Sequence, residues 1–156
     1  MRVVIVDAGG ANTGSVRYAF ERLDIDAALV TDAASIRAAD RVILPGVGTA
    51  AQVMARLQQL DLVDVLRTLE RPLLGICVGL QWLFEGSTEA ADVSGLGAFK
   101  GTCSLFTFPV HAKQKVPHVG WNSLTLPRPS KLMAGIGDGT QVYFTHSYAA
   151  PVVGET

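Results

Sequence analysis

An α/β fold with a three-layer, mainly parallel open sheet and extra antiparallel strands is what this 156-residue sequence predicts. Three observations carry that expectation. Short apolar runs alternate with segments of helical periodicity through the first half of the chain. Glycine-containing loops follow the third and fourth runs, where sites on parallel sheets are found. After Glu89 the pattern changes to shorter alternating stretches, which fit antiparallel strands attached to the parallel core.

Residues 3–7, Val-Val-Ile-Val-Asp, read as the first strand. Residues 15–23 then place Val16, Ala19, Phe20 and Leu23 on one helical face. Residues 27–30 and 41–44 are the second and third strands, the third closed by Pro45-Gly46. A long helical region runs from 50 to 69 and breaks near Asp61. Its apolar positions are Val53, Leu57, Leu60, Val65 and Leu69. Residues 73–76 form the fourth strand, and Leu80 to Glu85 reads as the helix after it. Beyond Glu89, residues 98–108 suggest strands, residues 120–124 lead into another, and residues 141–145 are one more. No repeat or linker interrupts the chain, so a single domain over 1–156 is expected.

Composition narrows the class. With 49% hydrophobic and 17% charged residues the chain is too apolar to be disordered. A net charge of −1 without a basic cluster gives no footing for nucleic acid or an anionic membrane. No apolar run approaches the ~20 residues that span a bilayer, and the N-terminus reads as a strand and not a signal peptide. Cys77 and Cys103 lack the paired spacing of a metal site, so no metal is expected, and a reduced, cytoplasmic protein is the default.

The chemistry concentrates in Gly75-Ile76-Cys77-Val78-Gly79, between a strand and a helix. G-x-C-x-G in that position is the cysteine form of a nucleophile elbow. Its glycines let the chain turn sharply, the central side chain stands out above the sheet, and the amides of the new helix face the same spot. A buried structural cysteine is the plainer alternative. In Leu44-Pro45-Gly46-Val47-Gly48, two glycines around one residue allow a switchable backbone amide suited to an oxyanion hole, or an ordinary turn. Pro117-His118-Val119-Gly120-Trp121-Asn122 has the make-up of a recognition loop, in which His118 is a candidate base or a structural histidine. In Tyr143-Phe144-Thr145-His146-Ser147-Tyr148, His146 and Ser147 are neighbours on an extended chain and point to opposite faces, which argues against a direct Ser-His pair.

Taken together these segments resemble the class I glutamine amidotransferases, whose fold is flavodoxin-like. Among them the chain is most similar to the glutaminase subunits of imidazole glycerol phosphate synthase in histidine biosynthesis. The likeness covers essentially the whole chain. It rests on Asp7-Ala8-Gly9-Gly10-Ala11-Asn12 with Ser15-Val16, on Pro45-Gly46-Val47-Gly48, and on the elbow with Gln81, Phe84-Glu85 and Glu89. Gly95-Leu96-Gly97, the Pro117 segment and the Tyr143 segment complete it, the last two being the most specific.

The resemblance implies that Cys77 attacks the side-chain amide of L-glutamine, forms a γ-glutamyl thioester and releases ammonia. It implies an oxyanion hole from the Val47 and Val78 amides, with Gly46 and Gly48 giving the strand freedom to flip. Gln81 and Glu89 would hold glutamine, Glu89 at the α-ammonium group. His146, Ser147 and Tyr148 would line the same pocket, largely through backbone. Asn12, His118, Trp121 and Asn122 would face a cyclase subunit, a (β/α)8 barrel that receives the ammonia in a heterodimer. No cofactor is implied. Two residues depart from the pattern: Ala8 and Ala11 stand where the resemblance leads one to expect Tyr and Gly, and a positive φ at Ala11 would be strained. Cys103 reads as packing.

The triad His and Glu that the resemblance leads one to expect, in a segment resembling Q-F-H-P-E-K-S, are not in this sequence. Its histidines are His111, His118 and His146, none in a His-x-Glu arrangement. Loss of such a base costs on the order of a thousandfold in rate. The expectation is therefore a C-terminally shortened amidotransferase with one sheet edge left open. Two alternatives are a subunit that binds the cyclase or glutamine without turnover, and a different cysteine hydrolase using His118 or His146 as base. The intact mass of the protein from its native cells tests the first expectation. A mass above 16.5 kDa is expected, and a mass equal to it would favour the non-catalytic subunit.

Overall fold

The structure, a computed structural model, describes residues 1–9, 12–109 and 114–152. The expectations for Ala11 and His111 fall outside these residues. The described chain divides into two compact units. One comprises residues 1–104 together with 150–152, the other residues 105–149.

The first unit is built on four parallel strands: β1 (Val3–Val6), β2 (Ala27–Val30), β3 (Arg41–Gly46) and β4 (Leu73–Cys77), in the order β2-β1-β3-β4. Strand alternation sends side chains to both faces, and both are apolar. Val3, Ile5, Ala27 and Ile43 form one core, covered by Val16 and Phe20 of α1 (Thr13–Glu21). Val4, Val6, Val42 and Leu44 belong to the larger core on the other face. There they pack with residues of α2 (Ala33–Arg37), α3 (Ala50–Gln59) and α4 (Val63–Arg67). Burial on both faces is what makes β1 and β3 read as continuous apolar runs. The α1 side is only partly covered: Leu74 and Ile76 of β4 remain 38% and 37% exposed.

The helix boundaries have local causes. Asn12 caps α1 through Oδ1, which accepts from Ser15 N (3.2 Å), and Asp32 does the same for α2 from Ser35 N (2.8 Å). Thr49 and Gln52 form a capping box at the start of α3. The expected break near Asp61 is present, since Asp61 takes φ +54° between α3 and α4. Helix α2, five residues long, is too short for periodicity to reveal. The helix after β4 differs from expectation. It is α5 (Val78–Gln81), beginning at the elbow and ending before Trp82, so residues 83–85 lie in the turn beyond it.

Three glycines fix where α5 runs. A Cβ on Gly79 would lie 1.8 Å from the Leu44 carbonyl oxygen. One on Gly75 would lie 2.6 Å from both the Gly79 oxygen and Leu80 Cα, and one on Gly46 2.8 Å from Gly79 N. Beyond α5, β5 (Gly86–Ser87) pairs parallel with β6 (Thr102–Leu105), which departs from the expected antiparallel arrangement there. Gly95 again lies against backbone, where a Cβ would meet Phe84 O at 2.1 Å.

The second unit is centred on the antiparallel pair β7 (His118–Ser123) and β8 (Gln141–His146), with His118 opposite His146 and Trp121 opposite Tyr143. The Pro117 segment is thus mostly strand and not loop. Residues 148–149 form the short β9.

Two alanine substitutions separate steric demand from mere flexibility. Gly79→Ala is expected to lower stability by more than about 3 kcal/mol, or about 6 °C or more in Tm for a chain of this size. Gly14→Ala, in the first turn of α1, meets nothing closer than 3.8 Å. It is expected to be neutral or to gain up to about 1 kcal/mol. Thermal unfolding of both variants measures the contrast.

Candidate active site

Cys77 sits at the junction of β4 and α5 with φ +56° and ψ −118°. An L-residue reaches that conformation only when its surroundings impose it, at about 1–3 kcal/mol. Here the imposing feature is the glycine-dependent crossing of α5 over the ends of β3 and β4. The result is an exposed thiol at the start of a helix, where the first backbone N–H groups have no intrahelical acceptor.

Directly opposite Cys77 in the β3–β4 ladder is Gly46, so Val47 is the residue after the ladder partner of Cys77. Val47 is exposed, and Gly48 takes φ +89°. The far end of this strand is anchored by the α3 cap, where Thr49 N donates to Gln52 Oε1 (3.1 Å) and Gln52 N to Thr49 Oγ1 (3.3 Å). Residues 46–48 therefore lie between a fixed strand and a fixed helix start.

The two residues expected to hold glutamine belong to one polar network. Ser87 Oγ donates to Gln81 Oε1 (3.3 Å) and accepts from Glu89 N (3.3 Å). Glu89 Oε2 accepts from Ala50 N at 3.0 Å, at the start of α3. An anionic carboxylate is well placed at that helix terminus. The Gln81 amide nitrogen and the second Glu89 oxygen have no partner among the described residues, so both can meet a polar ligand. Ser87, which completes the network, carries no motif signal; only its spacing between Gln81 and Glu89 hints at it.

The second unit holds the other expected residues. His118 Nδ1 lies 3.2 Å from His146 Nε2, Asn122 Nδ2 lies 3.2 Å from His118 Nε2, and His146 Nδ1 lies 2.8 Å from Tyr148 O. Trp121 is on the opposite face of β7, 67% exposed and edge-on to Tyr143 with ring centroids 5.6 Å apart. The set expected to face a partner is therefore split: Trp121 is on one face of this sheet, and His118 and Asn122 are on the other. Asn12, in the first unit, is exposed and engaged as a helix cap. Among the described residues no group of three His, Cys, Asp or Glu side chains comes together to hold a metal, and no helix is long and apolar enough to cross a membrane.

A strained, exposed cysteine on a strand–helix turn beside a glycine-flanked strand has the geometry of a nucleophile elbow. Residues 4–154 match the family described as Glutamine amidotransferase class-I, and the chain belongs to it. Over 154 residues it is 51% identical to the Imidazole glycerol phosphate synthase subunit HisH of Xanthomonas axonopodis pv. citri (strain 306), covering 99% of this chain and 76% of that protein. The protein of the same name in Xylella fastidiosa (strain Temecula1 / ATCC 700964) is 49% identical over 150 residues, 96% of this chain and 74% of its own. A solved structure titled "Crystal structure of glutamine amidotransferase" superposes with a TM-score of 0.74 over 98% of this chain and 76% of that one. At 19% identity it supports the fold alone.

The two cysteines differ in reach. Cys103 is fully buried, its thiol directed at the Gln81 carbonyl (3.9 Å), and burial pushes its pKa up. Iodoacetamide at neutral pH is expected to add one carbamidomethyl group to the native protein, at Cys77, and none to native Cys77→Ser. Peptide mass spectrometry reads the site.

Proposed function

We propose that this chain is the glutaminase subunit of an imidazole glycerol phosphate synthase. It hydrolyses L-glutamine to glutamate and ammonia and delivers the ammonia to a (β/α)8 cyclase subunit. The observation that carries the reading is the backbone of Cys77, held at φ +56° opposite Gly46. It is supported by about 50% identity to subunits of that name over nearly the whole chain.

In this mechanism the Cys77 thiolate attacks the glutamine side-chain carbonyl. The amides of Val47 and Val78 receive the oxyanion, and collapse of the tetrahedral intermediate releases ammonia and leaves the γ-glutamyl thioester. Water then cleaves the thioester. Gln81 and the free Glu89 oxygen hold the amino-acid end of glutamine, the carboxylate pairing with the α-ammonium group. Gly46 and Gly48 let the Val47 peptide rotate toward the oxyanion at low cost.

The base is not one of the described histidines. Both ring nitrogens of His118 and of His146 face partners within their own unit, so neither has a nitrogen free to take the Cys77 proton. This counts against a cysteine hydrolase built on either residue. The reading assigns the base to a His–Glu pair outside these 156 residues. For the cyclase, the surface that fits is the apolar face of β7–β8, where Val119, Trp121 and Tyr143 are each more than half exposed.

Cys77→Ser is expected to abolish thioester formation and glutamine hydrolysis while the cyclase still co-purifies; full turnover in that variant would refute the nucleophile assignment. Gly48→Val puts a branched side chain at φ +89°, within 2.9 Å of the Gln52 Oε1 atom. It is expected to reduce kcat at least tenfold with the fold retained, measured as glutamate release in the presence of cyclase. Cyclase binding without any turnover by the native protein would identify a non-catalytic subunit.

A further inference from the structure

Among the described residues Ser87 is the only hydroxyl, amide or charged side chain that is buried, 2% exposed, and the mechanism above gives it no role. A hydroxyl cut off from water must place its proton on a protein acceptor. Ser87 Oγ already accepts from Glu89 N (3.3 Å), as the cap of the turn Thr88–Ala90, so its proton goes to Gln81 Oε1 (3.3 Å). That assignment orients the Gln81 amide. Its oxygen is taken by Ser87, and its NH2 group, a donor only, is left for a ligand. Glu89 presents the reverse: one oxygen accepts from Ala50 N (3.0 Å), and the other can only accept from a ligand. One free donor and one free acceptor, joined through Ser87, match the carboxylate and ammonium groups of an α-amino acid.

We propose that Ser87 is a positioning residue that holds the Gln81 amide with its NH2 group available to the substrate α-carboxylate. The site thereby selects an α-amino acid over an amide that has the ammonium group but lacks the carboxylate. The proposal rests on the glutaminase reading and adds to it the orientation of Gln81 and the residue that sets it. Gln81 is also held at its backbone from the same place. Ser87 lies opposite Cys103 in the β5–β6 ladder, and the Cys103 thiol contacts the Gln81 carbonyl at 3.9 Å. One register position therefore touches Gln81 at both its side chain and its main chain. Without the Ser87 hydroxyl, the Gln81 amide is free to turn its oxygen toward the carboxylate, where two acceptors meet and no hydrogen bond forms.

The test compares two ligands on the full chain carrying Cys77→Ser, so that no turnover occurs. One is L-glutamine. The other is γ-aminobutyramide, which keeps the amide and the ammonium group but has no carboxylate. Dissociation constants are read by ligand-observed NMR titration. Ser87→Ala is expected to weaken L-glutamine about five- to tenfold and γ-aminobutyramide less than about twofold. Gln81→Glu keeps an acceptor for the Ser87 proton and replaces the free donor with an acceptor. It is expected to weaken L-glutamine more than about tenfold, again with less than about a twofold effect on γ-aminobutyramide. This second variant leaves Ser87 in place and so does not depend on the fold tolerating its loss. Equal weakening of the two ligands in either variant, or no weakening of L-glutamine in either, would overturn the positioning role and leave the glutaminase reading intact. Absence of L-glutamine binding by the Cys77→Ser parent would overturn both.

Discussion

The contact between Gly79 and the Leu44 carbonyl is the constraint on which the rest of the site depends. With a backbone oxygen occupying the place of a side chain, α5 can lie directly against β3. That closeness brings the Cys77 end of β4 beside residues 46 and 47. It also leaves Cys77 no relaxed backbone conformation, because the chain must reverse from strand to helix within one residue. Thiol exposure, its proximity to residues 46 and 47 and its strain thus follow from one packing decision.

A second layer is polar. Glu89 occupies the start of α3, Ser87 joins it to Gln81, and the capping box of Thr49 and Gln52 fixes the end of the strand that carries Val47. The residues proposed to recognise the substrate are thereby bonded to the start of α3, the helix that follows residues 46–48.

What the sequence made legible was whatever has a period or a punctuation mark. The four parallel strands were visible because each is a short apolar run, β1 and β3 being buried on both faces, and α1 and α3 because their apolar stripes are long enough to repeat. The elbow was visible because two glycines bracket a cysteine. Helix α2 was not, since five residues hold too little periodicity. The extent of α5 was misjudged because Trp82, Leu83 and Phe84 continue an apolar pattern into a turn buried for other reasons. The parallel pairing of β5 with β6 was hidden by strands of two and four residues. The Pro117 segment looked like a loop because Pro and Gly mask a strand. The Gln81–Ser87–Glu89 network is tertiary, and no spacing rule anticipates it.

The positive φ of Cys77 sets stability against function at a single position. Glycine adopts that conformation without penalty, so Cys77→Gly would relieve strain of about 1–3 kcal/mol while discarding the proposed nucleophile. The residue that suits the backbone best at this position is thus one that carries no thiol.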